Sequence, residues 1–296
     1  MAWSKNSKQI CTAAQDGKLI IWNAFASAKN LVISLRTNWV MTCGYSASGT
    51  QVASGGLDNI VTIHQLPEGL GNLANSKNGN TALGSASVTA ELAGHQGYVS
   101  SCSFTDPEHV LTTSGDGVCA LFNIATQNLL QEFRGHDSDV MDHAVSPDNP
   151  HVFISSSVDT TVRLWDTRAG GAAQGIFVGH EADVNSVCYL PNGTSFATGS
   201  DDCSARLFDT RAYSQFGVYS DSKQLTGITS VAVSRSSRLL FSGTDSNALW
   251  VWDTQTCQPV QIVDDAHENR ICGVATSPDG MVLATCSFDY STKIWA

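Results

Sequence analysis

Val152-Phe153-Ile154-Ser155-Ser156-Ser157-Val158-Asp159-Thr160-Thr161-Val162-Arg163-Leu164-Trp165 places a polar tripeptide between two short apolar and β-branched runs. Val152 to Ser157 reads as a strand, Val158-Asp159-Thr160 as a tight turn, and Thr161 to Trp165 as the returning strand. The motif recurs. An Asp or its substitute precedes a ring by six positions at Asp16/Trp22, Asp58/His64, Asp116/Phe122, Asp159/Trp165, Asp202/Phe208, Ser246/Trp252 and Asp289/Trp295. Successive rings are 42, 58, 43, 43, 44 and 43 residues apart, and a period of about 40 residues marks a repeat architecture.

The one long interval contains Leu66 to Thr89, rich in Gly, Asn, Ser and Ala, and reads as a loop inserted at about 66–89 between the second and third repeats. About 22 residues before the Asp stands Gly94-His95, Gly135-His136 or Gly179-His180, with Ala266-His267 as a variant. Another strand follows each, such as Val184-Asn185-Ser186-Val187-Cys188-Tyr189. Four strands per period, repeated radially, would bury both faces of each small sheet, which accounts for apolar strands without strict alternation. The expectation is a single domain over 1–296, all-β, with seven blades.

These residues resemble the Trp-Asp (WD) repeat family over nearly the whole chain, which implies a seven-bladed β-propeller of WD repeats. In that family the His, a strand Ser or Thr, the Asp and the Trp form a buried hydrogen-bonded tetrad. The matching set in the fourth repeat would be His136, Ser157, Asp159 and Trp165. A buried carboxylate needs several donors, and imidazole, hydroxyl and turn amides supply them. A Ser-His-Asp set also suggests a hydrolase, but a triad needs one nucleophile and one base at one oxyanion hole, whereas here the His and Asp recur in several repeats. Repetition points to structure, and no catalytic residue is assigned. Asp201-Asp202 and Asp264-Asp265 read as tight turns. No P-loop, GxGxxG, HExxH or GxSxG string is present, so no cofactor is expected.

Composition narrows the partners. The formal charge is −11, from 16 basic and 27 acidic residues without a Lys/Arg cluster, which argues against nucleic acid. Nine cysteines without a CxxC pair suggest reduced, mostly buried thiols and no metal site. No apolar run approaches the roughly 18 residues of a membrane span, no signal core opens the chain, and no heptad pattern is present. A soluble chain is expected, with any membrane association coming through a partner.

Further strings are more specific than the generic repeat: Gln15-Asp16-Gly17-Lys18-Leu19-Ile20-Ile21-Trp22, Trp39-Val40-Met41-Thr42-Cys43, Gly55-Gly56-Leu57-Asp58-Asn59-Ile60, Glu91-Leu92-Ala93-Gly94-His95, Gly135-His136 leading to Asp139-Val140-Met141, and Phe196-Ala197-Thr198-Gly199-Ser200-Asp201-Asp202. They resemble the β subunit of heterotrimeric G proteins. The resemblance implies a non-catalytic signalling scaffold that binds a GTP-hydrolysing α subunit on the narrow propeller face, a small γ subunit along its side, and effectors. It also implies a cytoplasmic location, peripheral to the inner face of the plasma membrane through those partners. Carried over by position, the α-subunit and effector surface would be Lys18, Ile20, Trp39, Met41, Leu57, Asn59, Tyr98, Asp139, Met141, Asp183, Asn185 and Asp201. Trp39, Met41, Leu57 and Tyr98 sit at or beside turns, where a large exposed side chain suits a contact anchor. The alternative is that Trp39 and Met41 fill the seam between blades. Asp139, Asp183 and Asp201 come from equivalent loops and would steer a basic partner, although turn chemistry also explains them.

The chain departs from the family at several places. Phe288 stands where a Trp is usual, Val158 where a Cys is, and Gln96 where a Thr is. The sixth repeat has no Gly-His before Gly227 and carries Ser246 at the Asp position. The amino-terminal helix that pairs with γ, and the strand that completes the final blade, have no counterpart, and the chain is expected to begin inside the first strand of blade one. The blade from Ile271 to Ala296 is then expected to have three strands and an open edge. Pairing with γ is correspondingly less secure than pairing with α. Two other readings compete: a general WD scaffold of another assembly, whose binding would survive Trp39→Ala, and an enzyme of propeller fold, for which no acid/base pair stands out.

Overall fold

The computed structural model describes residues 1–70 and 85–296. Among the described residues every regular element is a β-strand, and no α-helix occurs. The strands pair in chain order into seven small antiparallel sheets, six with four strands and the last with three. One sheet falls in each period, and these are the blades of a seven-bladed β-propeller. In blade four the opening stretch folds as read: Val152–Ser157 and Val162–Asp166 pair with Phe153 opposite Trp165 and Ser155 opposite Arg163. Blade one begins with the short strand Ala2–Trp3, which pairs with Gln9–Ala13. Blade seven consists of Ile271–Thr276, Leu283–Ser287 and Thr292–Trp295.

The predicted insertion is shorter than expected. Residues 71–84 lie outside the described residues. Ser87–Ala93 is a strand, with Val88 opposite His64 and Ser87 opposite Gln65, so the loop ends before Ser87. β-branched Val88 and Thr89 suit the pleated edge better than a loop.

The described residues form two compact units: 1–116 with 120–132, and 117–119 with 133–296. The first holds blades one and two and most of three; the second holds blades four to seven. Within each unit the apolar cores lie between neighbouring sheets. Val61, Ile63, Leu92, Val99, Val110 and Phe122 pack blade two against blade three. Val187, Phe196, Phe208 and Phe177 sit with Ile154 and Val162 between blades four and five. Burial of both sheet faces explains strands such as Ser195–Ser200, in which all six residues are buried. Close approach of neighbouring blades also demands glycine. A Cβ on Gly199 would meet Ile228 Cγ2 at 2.5 Å, and one on Gly243 would meet Ile271 Cγ2 at 2.6 Å, both inside van der Waals contact.

Candidate functional site

A directed hydrogen-bond relay anchors each fully formed repeat. In blade four, Trp165 Nε1–H donates to Ser155 Oγ at 2.8 Å, Ser155 Oγ lies 2.8 Å from His136 Nε2, and His136 Nδ1 lies 2.7 Å from Asp159 Oδ2. Neutral His136 with its proton on Nδ1 satisfies every step, so the network assigns that tautomer. Ser155, not Ser157, is therefore the hydroxyl of the tetrad. Ser157 serves the turn, accepting from Asp159 N–H at 3.1 Å and donating to Ser138 O at 3.4 Å. Ser155 and Ser157 lie two apart on one strand and so share a face, but Ser155 lies deeper along the hairpin, within reach of the indole.

The relay recurs as His95–Thr112 with Asp116, His180–Thr198 with Asp202, and His267–Thr285 with Asp289, where Trp295 donates to Thr285 at 2.9 Å. Burial opposes the charge on Asp159, yet hydrogen bonds from His136 and Thr161 outweigh it and hold the carboxyl below its usual range. Asp202 and Asp289 are held low in the same way, Asp202 by His180 and Ser204 and Asp289 by Ser291, Glu268 N–H and His267. These groups are sequestered: the His136 side chain is 1% exposed and that of Asp159 8%. The relay is a structural tie.

Blades one, two and six lack the His. Trp22 donates to Thr12 at 2.8 Å and Trp252 to Ser242 at 2.9 Å without it. Arg36 reaches outward to Glu91 at 2.9 Å, and buried His64 replaces the indole, its Nδ1 without a hydrogen-bond partner among the described residues.

A second arrangement recurs in blades two to seven, with or without the relay, at the end where the incoming link meets the hairpin turn. The link residue's carbonyl accepts the N–H of the first turn residue. This bond is Trp39 O with Leu57 N at 3.3 Å, Tyr98 O with Gly115 N at 2.9 Å, Asp139 O with Val158 N at 3.0 Å and Asp183 O with Asp201 N at 3.0 Å. It recurs at Gly227 O with Asp245 N at 3.0 Å and Arg270 O with Phe288 N at 3.2 Å. Two residues after the link the register slips. Val40 faces Gly56 and Thr42 faces Gly55, which leaves Met41 as the extra residue of a β-bulge. Ser100, Met141, Asn185, Thr229 and Cys272 occupy the same bulge in blades three to seven. Bulges re-aim side chains, so blades two to seven each present three positions together: link, bulge and turn.

Apart from Lys18 and Ile20, the predicted surface residues lie at these positions or in the same turns. In the first unit Trp39, Met41 and Leu57 are the link, bulge and turn of blade two, and they are 51%, 45% and 51% exposed. They do not fill a seam. Trp39 holds φ +61°, an unusual conformation for a bulky residue. Its N–H donates to Gln15 O at 3.1 Å while its carbonyl takes Leu57 N–H, so the backbone that carries the ring is held between two turns. Asn59, at φ +62°, is half-buried in the same turn. Tyr98 is the half-buried link of blade three, its ring against Gly115. Lys18 and Ile20 lie on the third strand of blade one, Lys18 Nζ ion-paired with Asp16 at 2.5 Å. In the second unit, Asp139 and Met141 are the link and bulge of blade four. Asp183, Asn185 and Asp201 are the link, bulge and turn of blade five, where Asn185 Nδ2 donates to Asp201 Oδ1 at 2.6 Å and to Ile228 O at 2.9 Å.

Sequence reading missed the matching positions of blades six and seven. Asp245 is the turn residue of blade six, ion-paired with the blade-seven link Arg270 at 3.1 Å. The Arg270 guanidinium also sits 5.4 Å from the centre of the Phe288 ring. Advancing Asp201 by one period reaches Asp245, then Phe288, so the repeat spacing itself carried the signal.

Comparison with known proteins bears on what this end does. The family model described as G protein beta WD-40 repeat protein matches residues 1–296. A guanine nucleotide-binding protein subunit beta-1 of Nicotiana tabacum is 43% identical, over 99% of this chain and 79% of that protein. Guanine nucleotide-binding protein subunit beta of Solanum tuberosum is 43% identical and that of Arabidopsis thaliana 41%, each with the same coverage.

Proposed function

Because the chain belongs to the G protein β WD-40 repeat family, whose members are non-catalytic signalling scaffolds, we propose that its link, bulge and turn positions form the docking surface for a G protein α subunit and for effectors. The observation that carries this reading is the exposed Trp39, Met41 and Leu57 group, clamped by backbone hydrogen bonds. Exposed aromatic and thioether side chains carried on a hydrogen-bonded backbone suit the centre of a protein interface. Asp139 and Asp183 at the links of blades four and five, with Asp201 at the turn of blade five, supply negative charge that would steer a basic partner surface and speed encounter.

A small γ subunit is the second proposed partner, and the cytoplasmic side of the plasma membrane, reached through these partners, is the proposed location. The test mixes the chain with a GDP-bound α subunit and then adds an activating GTP analogue. The proposal expects a complex that the analogue dissolves, and equal binding in both nucleotide states would overturn it. Trp39→Ala should weaken the GDP-state complex by about 2 kcal/mol or more, the scale of an interface hot spot.

A further inference from the structure

Blade seven carries a pair of cysteines, one of them at the bulge, whose thiol chemistry the docking function does not use. Ile271 faces Ser287 and Gly273 faces Cys286, so Cys272 is the extra residue of the bulge and leans over Cys286. The two sulfurs are 3.4 Å apart. Fourteen residues separate them in the chain; the hairpin register brings them together. A disulfide needs about 2.05 Å between sulfurs, so about 1.4 Å of approach closes the bond, within the reach of side-chain rotation.

Cys272 is also the exposed cysteine among the described residues. Cys11, Cys43, Cys102 and Cys119 are buried, and burial pushes the Cys102 thiol up to about 12. The hydrogen bond with Cys286 lowers Cys272 to about 7, aided by Arg270. A thiol that titrates near ambient pH combines thiolate population with nucleophilicity.

We propose that Cys272 and Cys286 form a peroxide-responsive thiol–disulfide pair on blade seven. The Cys272 thiolate attacks a peroxide oxygen, the O–O bond breaks, and hydroxide leaves to become water, giving a sulfenic acid at Cys272. The Cys286 sulfur then attacks that sulfur; the S–S bond forms, the S–O bond breaks, and the departing oxygen takes the Cys286 proton as water. Two thiols lose two electrons and one hydrogen peroxide becomes two waters. Cys272 holds the bulge position that Met141 and Asn185 hold in blades four and five. Closing the bond would redraw that corner of the docking end, a consequence that rests on the function proposed above.

The test treats the full chain with hydrogen peroxide, blocks remaining thiols with an alkylating agent, and reads the tryptic peptide 271–293 by mass spectrometry. Both cysteines lie in this one peptide, with no Lys or Arg before Lys293. The proposal expects a peptide two hydrogen atoms lighter that escapes alkylation and is restored by dithiothreitol. Cys286→Ser should instead trap a dimedone-reactive sulfenic acid at Cys272. The proposal is overturned if peptide 271–293 keeps two alkylatable thiols after its exposed Met281 has become the sulfoxide, or if the urea-unfolded chain forms the bond as fast as the folded one. Affinity of the oxidised chain for a GDP-bound α subunit is a separate arm. A disulfide with unchanged affinity overturns the effect on docking alone, whereas binding lost equally in the reduced chain sinks the docking function and leaves the pair standing.

Discussion

Replacing Ser155 by Ala removes one oxygen and leaves two buried nitrogens without partners. Ser155 is fully buried, and its hydroxyl joins Trp165 Nε1 and His136 Nε2 at 2.8 Å each. An unsatisfied buried polar group costs about 1–3 kcal/mol, and partial relaxation sets the expected sum at about 3 kcal/mol. Ser157→Ala removes a turn contact at 3.1 Å and a weaker one at 3.4 Å, worth about 1 kcal/mol. The suitable assay is hydrogen exchange of the amides of Val152–Ser157 and Val162–Asp166, because blades open locally and global unfolding of a repeat protein is not one step. At about 1.4 kcal/mol per decade, Ser155→Ala should speed exchange about a hundredfold and Ser157→Ala about fivefold. Equal effects, or a larger one at Ser157, would refute the relay as described.

Gly243→Ala forces a methyl against Ile271 Cγ2, which it would meet at 2.6 Å; overpacking of this kind costs about 1–3 kcal/mol, to be read as a lower denaturant midpoint. Gly49→Ala, with nothing within 4 Å but φ at +72°, should cost about 1 kcal/mol through backbone conformation alone. Stability should also fall in acid in two stages. Burial lowers the His143 imidazole from 6.5 to about 4, so between those values the unfolded chain binds more protons and stability drops with falling pH, by at most about 3 kcal/mol. Asp159, Asp202 and Asp289 have depressed carboxyls, so their contribution is whole above the unfolded value of about 4 and is lost below it. Melting temperature should therefore decline as pH falls below about 6.5, first with His143 and then with the three carboxylates; a rise on acidification over that range would contradict both assignments.

The period and the hairpin around each Asp were legible because they rest on local chemistry: turn residues, β-branched runs and a fixed spacing of rings; the three-stranded last blade was expected from the family resemblance instead. The tetrad serine was not legible. In Ser155-Ser156-Ser157 the first and third point to the same face, and only the depth of Trp165 along the hairpin selects between them. The bulge was hidden for a related reason, since one extra residue among short strands leaves the alternation of side chains ambiguous. Met41, Met141 and Asn185 were found through resemblance, while Thr229 and Cys272, which hold the same bulge, carried no such mark. The loop end at Ser87 was misplaced because small polar residues continue into a strand whose pairing with Ile60–Gln65 is a tertiary fact.

The central claim is that a partner docks where links, bulges and hairpin turns meet. The direct measurement is hydrogen exchange of the chain with and without a saturating GDP-bound α subunit. The account predicts protection at Trp39 to Met41, at Leu57 to Asn59 and at Asp183 to Asn185, while the opposite turns at Ala47 to Thr50 and Leu190 to Thr194 stay unchanged. Protection confined to those opposite turns, with Trp39 and Asp183 exchanging as in the free chain, would contradict it.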